Sequence, residues 1–449
     1  MIVAVLAVAV SLQQPLTRDS AAVARLFASL RGADSTVCEL AGRALTNYGG
    51  WWGANGDLPM PMPMPMPMPI PMPFADGGIH VNPSIHGVGW HRKADGVALG
   101  AFRAGLRDAS RCVRHIAARV VGDAKPPWAY QAFTAMSKDS DAGLRETGIL
   151  GLGELEDPRS LGGLSDALTD RETGVRAMAA WALGELEDAR AIEPLKRVLG
   201  DGSPTVRSRA VWALGKIESP EAIPALERAI RDPVAGVRRM AAWAIGEIES
   251  PRGVPVLRTA LADADSDVRM TAIWALAEIE DATAVEPLAR LARDPSADVR
   301  QMAAWALGQI EEAAGVAALG PLTRDPVTEV KTTALWALGE IESETGVEAV
   351  AAALKDRDPD VRIMAAWALG QIEAASAVRY LTPVLKDSDE DVRITAAWAL
   401  GQIESDGALP ALEAAQQDGS NSVRRAVRWA IAQIDGDRGR VRPRVRVRN

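Results

Sequence analysis

The chain has 449 residues, with 50 Lys and Arg against 59 Asp and Glu, and a formal net charge of −9 at pH 7. That acidic balance argues against a general binder of phosphate backbones, because such affinity comes mainly from clustered Lys and Arg. The two cysteines, Cys38 and Cys112, are too few for a disulfide framework and lack the spacing of a metal site.

Residues 1–15 begin with an apolar run, MIVAVLAVAVS, that has the length of the hydrophobic region of a signal peptide. Small residues within it offer cleavage sites, but no basic region precedes it. We expect either a signal peptide or a disordered N-terminus, with a periplasmic or secreted location slightly favoured over a cytoplasmic one. No stretch approaches the ~20 apolar residues that span a bilayer, so no membrane span is expected.

Residues 16–46 contain one degenerate copy of a repeat that becomes regular further along the chain. The second half of this copy places Val37, Ala41, Ala44 and Leu45 at the apolar positions of the repeat. We therefore expect it to be the first repeat of the fold.

Residues 47–93 break the repeat with a segment rich in Gly, Pro and Met, which we expect to be a largely disordered insertion. Pro alternates with Met or Ile over residues 59–73, and this alternation favours an extended polyproline-II path. Thioether and imidazole groups suit copper, so the methionines and nearby histidines raise metal binding as an alternative role. These residues are Met60, Met62, Met64, Met66, Met68, Met72, His80, His86 and His91. A turn of three residues points alternating Met to all sides, however, so no preformed ligand face is expected.

The repeats fill residues 94–435, and their clearest mark is a set of nine tryptophans at a constant interval of 31 residues. These are Trp181, Trp212, Trp243, Trp274, Trp305, Trp336, Trp367, Trp398 and Trp429. Each lies in a version of V-R-x-x-A-A-W-A-L-G-x-I-E, and the same frame continues upstream without the Trp. With the copy at residues 16–46, the sequence holds about twelve repeats.

Each repeat carries two apolar runs with helical spacing, separated by a polar break. In one repeat the apolar residues are Ile223, Leu226 and Ile230, then Val237, Ala241, Ala244, Ile245 and Ile248. The pattern predicts a hairpin of two helices of about twelve residues each, with Pro224 near the start of the first. One hairpin cannot bury its apolar stripe alone, so neighbouring hairpins are expected to stack.

An Asp occupies the turn between the two helices of a repeat, and a basic residue follows the Val of the second helix. The Asp residues are Asp170, Asp201, Asp232, Asp263, Asp294, Asp325, Asp356, Asp387 and Asp418. The basic residues are Arg176, Arg207, Arg238, Arg269, Arg300, Lys331, Arg362, Arg393 and Arg424. The Asp can accept backbone N–H groups at the start of the second helix. Such regularity indicates a structural role.

The D-x-x-x-x-V-R frame followed by A-A-W-A-L-G-x-I resembles the HEAT-like repeat family of the phycobilisome-lyase type. The resemblance implies an all-α, right-handed α-solenoid (superhelix) of about twelve 31-residue HEAT-like hairpins, an armadillo-type architecture. It also implies first helices on the convex side, second helices on the concave side, and a hydrogen-bonded ladder between Asp and Arg of successive turns. For this ladder we single out Asp232, Arg238, Asp263, Arg269, Asp294 and Arg300.

The tryptophan column has two interpretations. On a helical wheel Trp243 lies far from the core positions, and Ala242 lies on the opposite flank, so the Trp of one repeat could cover the Ala of the next and seal the layer. Alternatively the indoles form an exposed strip on the concave face that binds a partner. In the second case the contact residues are Trp212, Trp243, Trp274, Trp305, Trp336, Trp367 and Trp398. Met and Thr three residues before the Trp, and Glu or Gln four residues after it, would complete a groove suited to a peptide.

Residues 436–449 contain six arginines and predict a disordered basic tail that could contact an acidic partner. Enzyme motifs are missing: the sequence has no Gly-rich phosphate loop, no nucleophile elbow and no zinc-spaced Cys and His. Deoxyhypusine hydroxylases resemble this fold but hold iron with His-Glu pairs, and His115 is the only histidine of the repeats.

The sequence thus predicts a non-catalytic protein-protein interaction scaffold, without a cofactor, that binds a protein or peptide on its concave Trp-lined face. No specific nucleic acid is expected as partner, and the oligomeric state stays open. The alternatives are a phycobilin-lyase-like or other enzyme-associated role, and metal binding by the Met- and His-rich insertion.

Overall fold

The computed structural model of the chain describes residues 20–31 and 96–439. The predicted leader at residues 1–15, the insertion at 47–93 and the end of the tail lie outside these ranges. All regular secondary structure of the described residues is helical. They form two compact units, which divide between Val256 and Leu257.

The first unit contains eleven helices within its described residues. They are α1 (Ser20–Leu30), α2 (Gly96–Gly105), α3 (Arg111–Ala124), α4 (Ala129–Met136), α5 (Ala142–Glu154), α6 (Leu161–Ala167), α7 (Thr173–Glu185), α8 (Ile192–Val198), α9 (Pro204–Lys216), α10 (Ile223–Ala229) and α11 (Ala235–Glu247). Helix α1 falls in the predicted first repeat, and α2 to α11 are the first and second helices of five further repeats.

Helix α12 (Val254–Ala260) crosses the division between the units. The second unit then contains α13 (Ser266–Ile279), α14 (Val285–Leu291), α15 (Ala297–Gln309), α16 (Val316–Leu322), α17 (Thr328–Glu340), α18 (Val347–Ala353), α19 (Pro359–Ile372), α20 (Val378–Val384), α21 (Glu390–Gln402), α22 (Leu409–Ala415) and α23 (Asn421–Gly439). Helix α23 includes the first four residues of the predicted basic tail, 436–439.

Each repeat from α6 onward begins with a three-residue 3-10 turn that leads into a first helix of seven residues, as in Pro220–Ala222 before α10. The second helix has 13 residues in most repeats. The prediction of two equal helices of about twelve residues was therefore wrong for the first helix. Pro224 lies in the first turn of α10, as predicted, where its missing N–H leaves no helical hydrogen bond unmade.

The core of each unit is built from the second helices. Within each unit, consecutive second helices pack side by side, and each first helix covers the second helix of its own repeat. The predicted apolar positions are confirmed: Val237, Ala241, Ala244 and Ile245 are at most 1% exposed. On α11 every residue from Met240 to Gly246 is buried, so this part of the second helix is enclosed on most of its circumference. The predicted all-α architecture of stacked helical hairpins is confirmed.

Candidate functional site

The nine tryptophans of the column lie in the middle of second helices, at the predicted positions. Their rings are more enclosed than an exposed strip requires. Trp181, Trp243, Trp274 and Trp367 are buried, with 2–8% exposure, whereas Trp212, Trp305, Trp336, Trp398 and Trp429 are half-buried. Of the seven residues predicted to contact a partner, four therefore retain partly accessible rings: Trp212, Trp305, Trp336 and Trp398.

Seven of the nine rings are held against a glycine of the preceding repeat. A Cβ atom placed on Gly184 would lie 2.7 Å from Cζ3 of Trp212 and 2.9 Å from Cα of Ala213, closer than packed carbon atoms come. The same approach recurs within each unit: Gly153 with Trp181, Gly215 with Trp243, Gly308 with Trp336, Gly339 with Trp367, Gly370 with Trp398, and Gly401 with Trp429. We expected the Trp to cover an Ala of the next repeat, and the contact that the structure shows is with a glycine of the preceding repeat. The ring occupies the space left by the missing side chain of this glycine, which lies one helical turn after the Trp position of its own repeat.

The Met and Thr positions three residues before the Trp are buried as well. Met178, Met240, Met302 and Met364 are at most 6% exposed. The threonines bond to the backbone of their own helices: the hydroxyl of Thr333, for example, donates to the carbonyl of Glu329 at 2.8 Å. The expectation that these side chains form part of an open groove was therefore wrong, because the tight Trp–Gly contact brings the second helices close together.

The polar positions four residues after the Trp remain accessible. Glu278 and Gln309 are exposed, and Glu340, Gln371 and Gln402 are half-buried. The indole of Trp336 lies near the carboxylate of Glu340 and favours its charged form. Burial and the nearby carboxylates of Glu311 and Glu342 raise the pKa of Glu340. The accessible surface of the second helices is therefore polar and mildly acidic, with partly exposed indoles between the polar groups.

The Arg–Asp ladder lies at the opposite end of the second helices. Arg207 donates through Nε and Nη2 to both carboxylate oxygens of Asp232, at 2.6 and 2.8 Å, and through Nη1 to the carbonyl of Asp201 at 2.9 Å. The carboxylate of Asp232 also accepts the N–H of Val234, the residue that caps α11, at 2.9 Å. Each rung therefore ties the turn of one repeat to the turn of the next.

The other rungs follow the same plan within each unit. They are Arg145–Asp170 and Arg176–Asp201 in the first unit, and Arg269–Asp294, Arg300–Asp325, Lys331–Asp356, Arg362–Asp387 and Arg393–Asp418 in the second. Arg238 and Asp263 belong to different units: Arg238 donates to the carbonyls of Asp232 and Pro233, and Asp263 accepts the N–H of Asp265.

Sequence reasoning missed a column of glutamates at the turns that follow the second helices. Nine of them have φ between 47° and 54°, in the left-handed region that usually favours glycine. They are Glu156, Glu187, Glu218, Glu249, Glu280, Glu311, Glu342, Glu373 and Glu404, and all are exposed. The only signal in the sequence was the recurrence of a final Glu in the repeat motif. Glu as a residue type does not favour positive φ, so this recurrence did not predict the backbone conformation. These turns add negative charge at the C-terminal ends of the second helices, where the accessible Glu and Gln side chains also lie.

A group of ionic side chains between α3 and α5, centred on the buried Glu146, was also missed. Nη2 of Arg111 lies 2.6 Å from a carboxylate oxygen of Glu146, and Nε2 of His115 lies 3.7 Å from the other. Burial alone would raise the pKa of Glu146, but His115 and Arg111 outweigh it and lower the pKa to about 2. Burial lowers the pKa of His115. The arrangement is an ionic link between two helices.

Within the described ranges, no group of three or more His, Cys, Asp or Glu residues is placed to hold a metal ion. No helix among those same residues is both long and apolar enough to cross a bilayer. The methionines and histidines of the insertion lie outside the described residues, so metal binding there stays a prediction.

Comparison with known proteins places the repeats in a family. A family model described as HEAT repeats matches residues 161–239, 228–301, 285–357 and 347–432, which together make up more than half of the chain. No curated protein matches the sequence significantly.

Solved structures share the fold at low sequence identity. A structure of Kap95p, reported for its binding to RanGDP, has a TM-score of 0.53 and 17% identity over 76% of this chain and 56% of its own. Kap121p has a TM-score of 0.52 and 14% identity over 75% of this chain and 45% of its own. This chain thus spans about half the length of these two proteins. An engineered protein matches over 75% of this chain and 98% of its own, at 24% identity and a TM-score of 0.43. The repeat frame, the helical hairpins and the family match agree, and the chain belongs to the HEAT-repeat family.

Proposed function

We propose that the protein is a non-catalytic scaffold that binds a protein or peptide along the accessible surface of its second helices. The observation that carries this proposal is repetition: half-buried indoles recur in five of the repeats, and an accessible Glu or Gln follows the Trp by four residues in most repeats. Within the described residues, no group of His, Cys, Asp and Glu is placed to hold a metal ion. An extended surface of this kind suits a long partner better than a small substrate.

The composition of the surface indicates the chemistry of the partner. Half-buried Trp rings offer apolar area at little cost in side-chain entropy, and adjacent Gln and Glu supply hydrogen-bond acceptors. The exposed turn glutamates add negative charge beside them. The favoured partner is therefore an extended segment with apolar and basic side chains. Kap95p, which is similar in fold, is a protein that binds another protein, RanGDP.

The test is binding of displayed random peptides to the full chain, followed by affinity measurement for the enriched sequences. Gln309→Arg combined with Gln402→Arg places two positive charges on the second-helix surface, and we expect it to weaken binding by roughly tenfold or more. Gln416→Arg, at the end of the first helix α22, makes the same change at an exposed position away from this surface. Equal affinities for the two variants, or no enriched peptide at all, would contradict the proposal.

A further inference from the structure

Helices α3 and α5 are neighbouring second helices, and the joint between them lacks the Trp–Gly contact of the later joints in the same unit. Leu150 of α5 occupies the position that carries Trp in the regular repeats. A Cβ placed on Gly122 of α3 would overlap the Cβ of Glu154 and lie 3.3 Å from the carbonyl carbon of that residue. At the next joint the equivalent glycine meets Trp181 and Ala182. The residue that meets the glycine of α3 therefore lies one helical turn later in the repeat frame.

The contact with Gly122 draws the carboxyl group of Glu154 into the helix layer. Glu154 stands four residues after the Trp position, where the side chains of other repeats are accessible, as at Glu278, but its own side chain is 7% exposed. Its Oε1 atom lies 3.3 Å from Nε of Arg119 and accepts no hydrogen bond from the described part of the chain. Two buried charges do not recover the full cost of leaving water unless hydrogen bonds complete the pair.

The charges around Glu154 come from both neighbouring second helices. Burial is the largest effect and raises the pKa of Glu154 to about 7. Arg119 on α3 opposes this rise, whereas the carboxylates of Asp123 on α3, Glu185 on α7 and Glu156 in the turn after α5 add to it. The side chain that fills the space at the joint therefore changes between neutral and charged close to neutral pH.

Other titratable groups around α5 are engaged away from Glu154. His115 and Glu146 lie at the other end of the joint, since Glu146 precedes Glu154 by two helical turns. Burial lowers the pKa of His115, so acid favours separation of the helices at that end, which is the opposite pH dependence. On the first helices, the hydroxyl of Tyr130 donates to a backbone carbonyl at 3.1 Å, and Asp166 is exposed.

We propose that Glu154 makes the joint between α3 and α5 a pH-sensitive latch, which holds the end of α5 against α3 while the carboxyl is protonated and loosens when it ionises. Loss of the proton to solvent leaves a negative charge among other carboxylates in the layer, and separation of the helix ends returns that charge to water. The latch stabilises the closed joint fully below the pKa of an exposed Glu, about 4.3, and this contribution is lost as the pH rises through 7. At the later joints of the unit the glycine meets an indole, which does not titrate.

Hydrogen exchange of the full chain at pH 6 and pH 8 tests the latch. Glu154→Gln keeps the shape of the protonated side chain, so the ratio of parent to variant exchange rates at each pH removes both the pH dependence of exchange itself and the effect of His115. For the amides of residues 118–124 in α3, we expect this ratio to rise about tenfold from pH 6 to pH 8. For the amides of α9, in the same unit, we expect a ratio near one at both pH values.

Glu218→Gln is the matched control, because it removes a carboxylate from an exposed turn of the same unit. The ratio of parent to Glu218→Gln exchange in α3 should be equal at the two pH values. A ratio for Glu154→Gln that does not change with pH would refute the latch. Faster α3 exchange in Glu154→Gln than in the parent at pH 8 would also overturn it, because the charged pair with Arg119 would then be what closes the joint.

Discussion

At the residue scale, the close approach of Trp212 to Gly184 explains why the repeat motif contains both a Trp and a Gly three residues after it. The glycine follows the Trp position by three residues, one helical turn away, so the ring of the next repeat lies where a side chain would otherwise stand. The indole is thereby clamped in the helix layer, which leaves only part of it accessible. Ala277 holds the same position in α13, and α13 and α15 pack less closely than α15 and α17.

Gly184→Ala tests this packing. The added Cβ would meet both Trp212 Cζ3 and the backbone Cα of Ala213, so the helices must separate, and we expect a loss of about 1–3 kcal/mol. Gly236→Ala is the matched control in α11, because nothing lies within 4 Å of its Cβ position and alanine favours the helix. Urea unfolding followed by circular dichroism measures both. A neutral Gly184→Ala would show that the ring is free to move aside.

At the scale of the element, the turn after each second helix carries a backbone conformation that its residue type does not favour. Glu311 has φ of 54°, whereas the next residue, Glu312, has φ of −87°. A non-glycine residue in the left-handed region costs roughly 1 kcal/mol. With one such glutamate in each of nine turns, the repeats keep exposed negative charge at the expense of stability, in keeping with a role of these turns in the surface proposed to bind a partner.

Glu311→Gly and Glu312→Gly form a matched pair of neighbouring, exposed glutamates. We expect Glu311→Gly to raise the free energy of unfolding by about 1 kcal/mol, because glycine adopts positive φ without strain. Glu312→Gly removes the same charge at an ordinary φ and should be neutral or slightly destabilising, since glycine adds entropy to the unfolded chain. Unfolding midpoints at equal salt compare them. Equal shifts would mean that charge, and not backbone strain, decides the effect.

These elements show how far sequence reasoning reached. The period of 31 and the apolar spacing predicted the hairpins, and residues such as Val237 and Leu226 were placed correctly in the core. The helical wheel gave the position of Trp243 on its helix but did not identify the residue that the ring contacts. That residue depends on which face of the preceding repeat's second helix lies next to the ring. Glu311 could not be predicted, because neighbouring structure overrides its local preference. The short first helices escaped prediction because an apolar pattern does not distinguish a 3-10 turn from a helical one.

At the scale of the whole molecule, each unit repeats one ionic device many times. In the rungs, burial alone would raise the pKa of Asp201, Asp232 and Asp325, but hydrogen bonds from Arg and from backbone N–H groups outweigh it and lower the pKa. Asp387 and Asp418 are lowered in the same way, and the Asp170 pKa is lowered chiefly by its bond to Arg145. Glu154 opposes this trend, because burial raises its pKa to about 7. Its contribution to stability is therefore present at low pH and lost as the pH rises through neutrality.

The ladder predicts steep acid unfolding. A carboxyl whose pKa is lower in the folded than in the unfolded chain stabilises the fold above the unfolded value, about 3.9, and loses that contribution as the pH falls through the folded value. Because the Asp pKa values of neighbouring rungs are all lowered, the losses of stability on protonation add within each unit. Unfolding should therefore begin below about pH 4. Asp325→Asn should cost about 1–3 kcal/mol at pH 7, because the Arg300 guanidinium loses its charged partner. The same variant should be less sensitive to acid than the parent chain. Urea titrations at steps between pH 7 and pH 3 compare the two proteins, and parallel pH profiles would show that the rungs do not govern acid stability.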